Sequence, residues 1–146
     1  MAERTYLVVV GYNATESGDL ALLRAIEIAR SRNAELHVVH VEDVTPAVLH
    51  LPKDVTVRTM DLAALRHQTA WERAAALLDA RDPATRVDLE GSPAKAIVSY
   101  CDDVGADLLV IGTRGRGRLA STFLGSTSLR ALGKAKCDVM IAKPAN

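Results

Sequence analysis

Two kinds of hydrophobic pattern alternate along the chain. From Thr5 to Val10 (TYLVVV) the residues are almost all apolar or β-branched, the mark of a strand covered on both faces rather than wet on one. This predicts a central strand, β1. After Gly11-Tyr12-Asn13-Ala14-Thr15, the apolar residues Leu22, Ala25, Ile26 and Ala29 recur at helical spacing between Ser17 and Arg32-Asn33, which predicts a helix, α1. From Glu35 to Val41 (ELHVVHV) the pattern returns to that of a strand, β2, with Val39 and Val41 on one face and Val38 on the other.

The periodicity breaks from Glu42 to about Thr59, where Pro46 and Pro52 argue against a long regular element. A loop with at most a short helical turn is expected there. The alanine-rich stretch from Met60 to Arg81 predicts α2, with Trp71, Ala75 and Leu78 on one stripe. From Thr85 to Leu89 the apolar residues alternate with Arg86, Asp88 and Glu90, as in an edge strand, β3, with a wet face. Ser92 as cap and Pro93 at the first helical position open α3, whose buried stripe is Ala94, Ile97, Cys101 and Val104 and which Gly105 ends. Leu108 to Ile111 predicts β4, Ser126 to about Ala135 predicts α4, and Asp138 to Ala142 (DVMIA) predicts β5, closed by Pro144. Strands alternating with helices in this way imply right-handed crossovers and hence a parallel sheet. The fold class is α/β.

Composition narrows the function classes. At 146 residues the chain fits one domain, 1–146, with no internal linker or repeat. Lys plus Arg and Asp plus Glu both total 18, so no general attraction to nucleic acid or to an anionic membrane follows. The apolar runs are far shorter than a membrane span requires. Cys101 and Cys137 are too few for a disulfide framework, and the chain opens without a basic region followed by an apolar one. A cytoplasmic protein without a membrane partner is expected.

The candidate chemistry lies in the glycine-rich stretch from Gly112 to Ser128 (GTRGRGRLASTFLGSTS), between predicted strand and predicted helix. Glycines allow positive φ and a close backbone approach to a ligand, and the first amides of the following helix suit an anion. Ser126, Thr127 and Ser128 add hydroxyls, while Arg114, Arg116 and Arg118 add positive charge. This reads as a phosphate cradle. No Lys follows a glycine as in a P-loop, and the match of Gly115, Gly117 and Ala120 to a dinucleotide fingerprint lacks the acidic residue about 20 positions later. The arginine run is not accompanied by an aromatic stacking platform, which disfavours nucleic acid. His37 and His40 fall on opposite faces of a strand and do not form a metal pair. No metal ligand set and no catalytic Ser-His-Asp or Cys-His set is apparent. Cys101, on an apolar stripe, reads as a packed inert thiol, and Asp102-Asp103 as a solvated face.

The spacing of Gly112, Gly115, Gly125 and Ser126, namely Gly, two residues, Gly, nine residues, Gly, Ser, resembles the phosphate motif of the ATP-binding branch of the universal stress protein family. Val9-Val10-Gly11, His40-Val41, Glu90-Gly91-Ser92-Pro93-Ala94, Gly105 to Ile111 and Cys137 are also similar to the family pattern, so the resemblance covers the whole chain. It implies a Rossmann-like open parallel five-stranded sheet of order 3-2-1-4-5, with helices on both faces. General reasoning about such sheets places a ligand at the crevice where the order reverses, between β1 and β4.

By the same resemblance, ATP or another adenine nucleotide is the ligand. Gly11, Tyr12, Asn13 and Val41 would receive ribose and base, with Gly112, Thr113, Arg114, Gly115, Gly125, Ser126, Thr127 and Ser128 around the phosphates. Asn13 stands where ATP-binding members usually carry Asp. Its amide can hydrogen-bond a hydroxyl but lacks the charge that helps hold a divalent metal, so the case for Mg2+ is weaker than that for the nucleotide. The resemblance also implies a homodimer through Val139 to Ala142. The expected function is nucleotide binding in stress response rather than fast catalysis. The rival reading is a dimeric interaction protein with a decayed site, and slow ATP hydrolysis is a third.

Overall fold

The computed structural model describes residues 3–42, 53–113, 130 and 132–144. Five parallel strands form one sheet of order β3-β2-β1-β4-β5. They are β1 Leu7–Gly11, β2 Glu35–Glu42, β3 Ala84–Glu90, β4 Leu108–Gly112 and β5 Asp138–Ala142. The helices are α1 Glu16–Arg32, α2 Lys53–Leu77 and α3 Pro93–Val104. Val8 faces Leu36 on one side and Leu108 on the other, which makes β1 the middle of the sheet. Every residue of β1 and of β4 is buried, as continuous apolar runs require when helices cover both faces.

Alternation along the strands sorts the core into two halves. Val8, Val10, Val38, Leu108 and Val110 pack with Leu22, Ala25 and Ile26 of α1 and with Ala70, Trp71 and Ala74 of α2. Leu7, Val9, Val39, Leu109 and Ile111 pack with Ile97, Val98 and Cys101 of α3 and with Leu132. Thr15 caps α1 by accepting from the Gly18 N–H at 3.0 Å, and Asn33 closes it in the left-handed region at φ 52°. Gly105 ends α3 at φ 67°. Just beyond, Asp107 accepts from the Leu7 N–H at 2.8 Å and from Arg4 at 2.6 Å, pinning the start of β1 beside β4.

The strands and α1 and α3 agree with the sequence reading, whereas α2 differs. It begins at Lys53 rather than Met60, so the expected loop is helical over its last residues. Pro52 is compatible with that start, because a missing amide hydrogen costs nothing at a helix entrance. The helix also ends at Leu77 rather than Arg81. Asp79 and Asp82 stop it: the Asp82 carboxylate accepts from the Asp79 N–H at 3.1 Å, and Asp79 accepts from the Arg81 N–H at 3.1 Å. Arg30 of α1 then holds Asp82 through two bonds of 2.6 Å. The buried stripe of α2 is Ala70, Trp71 and Ala74, with Leu77 and Leu78 half-buried, and Ala75 is exposed. Ser92 sits at the cap position of α3 without a side-chain cap bond. Of the predicted α4, Arg130, Leu132 and Gly133 are helical, while Ser126 to Leu129 and Ala131 lie outside the described residues.

One contact sets how closely α1 approaches the sheet. A Cβ on Gly112 would fall 2.3 Å from the Ser17 carbonyl oxygen and 2.6 Å from its carbonyl carbon. Gly11 is tight on the opposite face, where a Cβ would lie 2.9 Å from Ile97 Cδ1, the end of a flexible side chain.

Gly112→Ala is therefore expected to destabilise the protein by about 1–3 kcal/mol, because backbone rather than a side chain must yield. Gly133→Ala, with nothing among the described residues within 4 Å of the added carbon, should be neutral or slightly stabilising. Urea unfolding of the two variants makes the comparison. In the core, Leu109→Ala, at 0% exposure, should cost about 2–5 kcal/mol. Leu65→Ala, at 58% exposure, should stay within about 0.5 kcal/mol of the parent in the same measurement.

Candidate functional site

The sheet reverses its direction of winding between β1 and β4. Chains leaving their carboxyl ends diverge there and leave a crevice. From β1 come Gly11, Tyr12 and Asn13. The Tyr12 N–H still donates to Val39 O at 2.8 Å, so the chain runs one residue beyond the strand before it turns. Ala14 makes that turn in the left-handed region, at φ 58°.

The Tyr12 side chain points into the core and is 2% exposed, with its hydroxyl donating to Asp19 at 2.8 Å. Burial, followed by the Asp19 hydrogen bond and charge, pushes its pKa well above the usual phenol range. Only the backbone of Tyr12 is therefore left to meet a ligand. Asp19 is in turn gripped by Arg73 of α2, whose Nε lies 3.1 and 3.0 Å from the two carboxylate oxygens. Arg73 Nη1 donates to Ala14 O at 3.0 Å. One guanidinium thus ties the β1–α1 turn to α2, and its contact with Asp19 raises its own pKa further.

Asn13 is exposed just beyond the end of β1. The Thr15 hydroxyl accepts from Gly18 N–H and donates its own proton to Asn13 Oδ1 at 2.7 Å. Asn13 is thereby oriented with its NH2 group as the outward pole, a donor rather than a cation ligand. Gly18 makes room for this, since a Cβ there would fall 2.4 Å from Asn13 Oδ1. Glu16 and Asp19 already complement the positive end of α1, so that helix start is a poor place for a phosphate.

From β4 come Gly112 and Thr113, whose N–H donates to Ala142 O at 3.1 Å. Gly11 and Gly112 therefore end adjacent strands, with Asn13 and Thr113 just beyond them, and Val41 stands near the end of β2, paired with Leu89. Val41 is half-buried against the α3 side of the sheet. Arg114, Gly115, Gly125, Ser126, Thr127 and Ser128, with Arg116, Gly117 and Arg118, lie outside the described residues.

The histidines fall on opposite faces, as expected. His37 Nδ1 is 2.7 Å from the Tyr100 hydroxyl on α3, whereas His40 turns to α2 and meets His67. That second pairing, joined by Asp88 of β3, was invisible in the sequence because the residues come from three separate elements. Cys101 is buried, and burial first and then Cys137 push its pKa up to about 12, so it stays an unreactive thiol. No helix among the described residues is long and apolar enough to cross a membrane.

The model of the Universal stress protein family matches residues 7–143. A universal stress protein of Thermus aquaticus is 31% identical over 139 residues, covering 93% of this chain and 97% of its own length. A solved universal stress protein in complex with cAMP is 28% identical, with a TM-score of 0.61 and coverage of 96% of this chain and 98% of that one. The universal stress protein UspA from Lactobacillus plantarum shares the fold at 23% identity and a TM-score of 0.70, over 97% of this chain and 99% of its own. Crevice, strand order and a family match from the first strand to the last converge: the chain belongs to the universal stress protein family.

Proposed function

We propose that this stress-response protein is a single nucleotide-binding domain, residues 1–146, that binds an adenine nucleotide at the β1–β4 crevice and acts by binding rather than by rapid turnover. The observation that carries the reading is the placement of Asn13, Gly112 and Thr113 at the reversal of strand order, with Gly112 as the first glycine of the spaced motif. A related protein of the same family holds cAMP, which supports an adenine nucleotide as the ligand class. ATP is our first choice within it, from the glycine spacing. The outward NH2 of Asn13 suits a ribose hydroxyl or phosphate oxygen and offers nothing to Mg2+, so binding should be largely independent of the metal. The free thiols Cys101 and Cys137 fit a reducing cytoplasm.

The proposed assembly is a homodimer through β5. This strand lies at one edge of the sheet, and Met140 is 37% exposed. An apolar edge leaves backbone groups open for a two-fold mate.

Calorimetry on ligand-stripped protein tests the site. ATP, ADP, AMP or cAMP should give saturable heat, and Gly115→Val should weaken binding at least about tenfold, or 1.4 kcal/mol. Asn13→Asp should make binding more dependent on Mg2+, because it supplies a carboxylate. No heat with any of the four, with and without Mg2+, would reject the nucleotide reading in favour of an interaction protein.

Sedimentation tests the assembly. The parent protein should run as a dimer, and Met140→Pro should shift it towards monomer by removing a donor from the strand edge. A monomeric parent would refute the β5 dimer.

A further inference from the structure

On the opposite half of the sheet from β4 and β5, four polar side chains converge under α2. His40 comes from β2, His67 from α2, Asp88 from β3 and Glu42 from the end of β2. Ligand-type atoms of His40, His67 and Asp88 all lie within 4.8 Å of one another. His40 Nδ1 and His67 Nδ1 are 3.2 Å apart, close to the edge of about 3.3 Å in a tetrahedron with zinc–nitrogen bonds of about 2.0–2.1 Å.

Proton placement sharpens the geometry. His67 Nε2 lies 3.0 Å from Asp88 Oδ1, which accepts, and 3.4 Å from Arg86 Nη2, which donates. Its Nδ1 faces His40 Nδ1 at 3.2 Å. Two bare nitrogens cannot face each other at that distance, so the point between them must hold a proton or a cation.

We propose that His40 and His67, through their Nδ1 atoms, bind a zinc-type divalent transition-metal ion, with Glu42 as the carboxylate ligand and Asp88 as the positioning residue behind His67. Ion entry needs no loss of a proton from the protein, because the neutral ring that carries a proton on Nδ1 moves it to its own Nε2. Glu42 Oε2 is already 4.0 Å from His67 Nδ1 and closes onto the ion by side-chain rotation. Asp88 is held by the Trp71 Nε1–H at 2.7 Å and fixes the ring of His67, the carboxylate–histidine–metal arrangement that sets tautomer and orientation.

Arg86 is the charge that could oppose a cation. Its guanidinium lies over the Trp71 ring at 4.4 Å and reaches His67 only at Nε2, at 3.4 Å, alongside Asp88. It therefore stands behind the ring rather than at the ion's position, and Asp88 faces it with opposite charge. Nitrogen-rich ligation selects zinc, nickel or cobalt over magnesium and calcium. The site shares no residue with the β1–β4 crevice, so it stands or falls apart from the nucleotide.

The test is calorimetry of the full-length, untagged, chelator-treated chain with Zn2+, together with Co2+ absorption spectra. Expected are saturable binding of one Zn2+ per chain and no heat from Mg2+. Co2+ should give visible bands without the near-ultraviolet thiolate charge-transfer band that Cys137 would produce. His40→Gln and His67→Gln should each weaken Zn2+ binding at least a hundredfold. Asp88→Asn keeps a carbonyl acceptor and the shape of the site, and should weaken it about tenfold while altering the Co2+ bands. Circular dichroism checks that each variant is folded, and if the histidine variants are not, Asp88→Asn and Glu42→Gln carry the comparison. No saturable Zn2+ binding by the parent, a thiolate band, or unchanged affinity in the folded variants would overturn the proposal.

Discussion

The architecture depends on the absence of a single carbon atom. With no side chain at Gly112, the first turn of α1 rests on the end of β4, and Ser17 occupies the space a Cβ would take. That contact sets the depth at which α1 lies over β1 and β4, and with it the position of the turn carrying Asn13. Interiors are packed too densely to absorb such an intrusion locally. Gly11 plays the matching part on the other face, against Ile97 of α3. The two glycines are the last residues of β1 and β4, so the crevice begins where both helices press closest.

A polar network then holds the rim of the crevice. Tyr12 and Arg73 both converge on Asp19, and Arg73 also holds the carbonyl of Ala14. This network joins α2 to the β1–α1 turn alongside the apolar cluster that Tyr12 and Ala14 share with Ala70, Trp71 and Ala74. Arg73 is 42% exposed, so solvent screening keeps the strength of its ion pair modest. Its value is geometric, since a carbonyl in a left-handed turn needs a donor to hold its direction. The consequence for the site is that Asn13 is presented by a supported turn, with its oxygen satisfied and its NH2 outward.

The other half of the sheet follows different rules. β3 is an edge strand with alternating exposure, and its Asp88, though exposed, is held by Trp71 of α2. The wet face read from alternation is thus engaged by α2, whose Trp71 bonds to Asp88 and carries the Arg86 guanidinium over its ring. His40 and His67 meet there because α2 crosses the β2–β3 pair. A half-buried imidazole pair needs a shared proton or ion, and this chemistry arises from crossing elements rather than from any local motif.

Local pattern sufficed wherever a residue's environment was set by its immediate neighbours. The buried runs of β1 and β4, the alternation of β3, the apolar stripe of α3 and its stop at Gly105 follow from periodicity and backbone preference, and the sheet bears them out. The crevice was legible too, because an alternating strand–helix series of this family leaves one place for the sheet to reverse. The start of α2 was not legible, since Pro52 reads equally as a breaker or as a helix entrance and only packing chooses. Its end was set by Asp79 and Asp82, with Arg30 holding Asp82 from 52 positions away in the chain. The inward turn of Tyr12, the outward NH2 of Asn13 and the meeting of His40 with His67 were decided by tertiary structure alone. Each depends on a partner distant in sequence or on a hydrogen-bond direction, and a one-dimensional pattern carries neither.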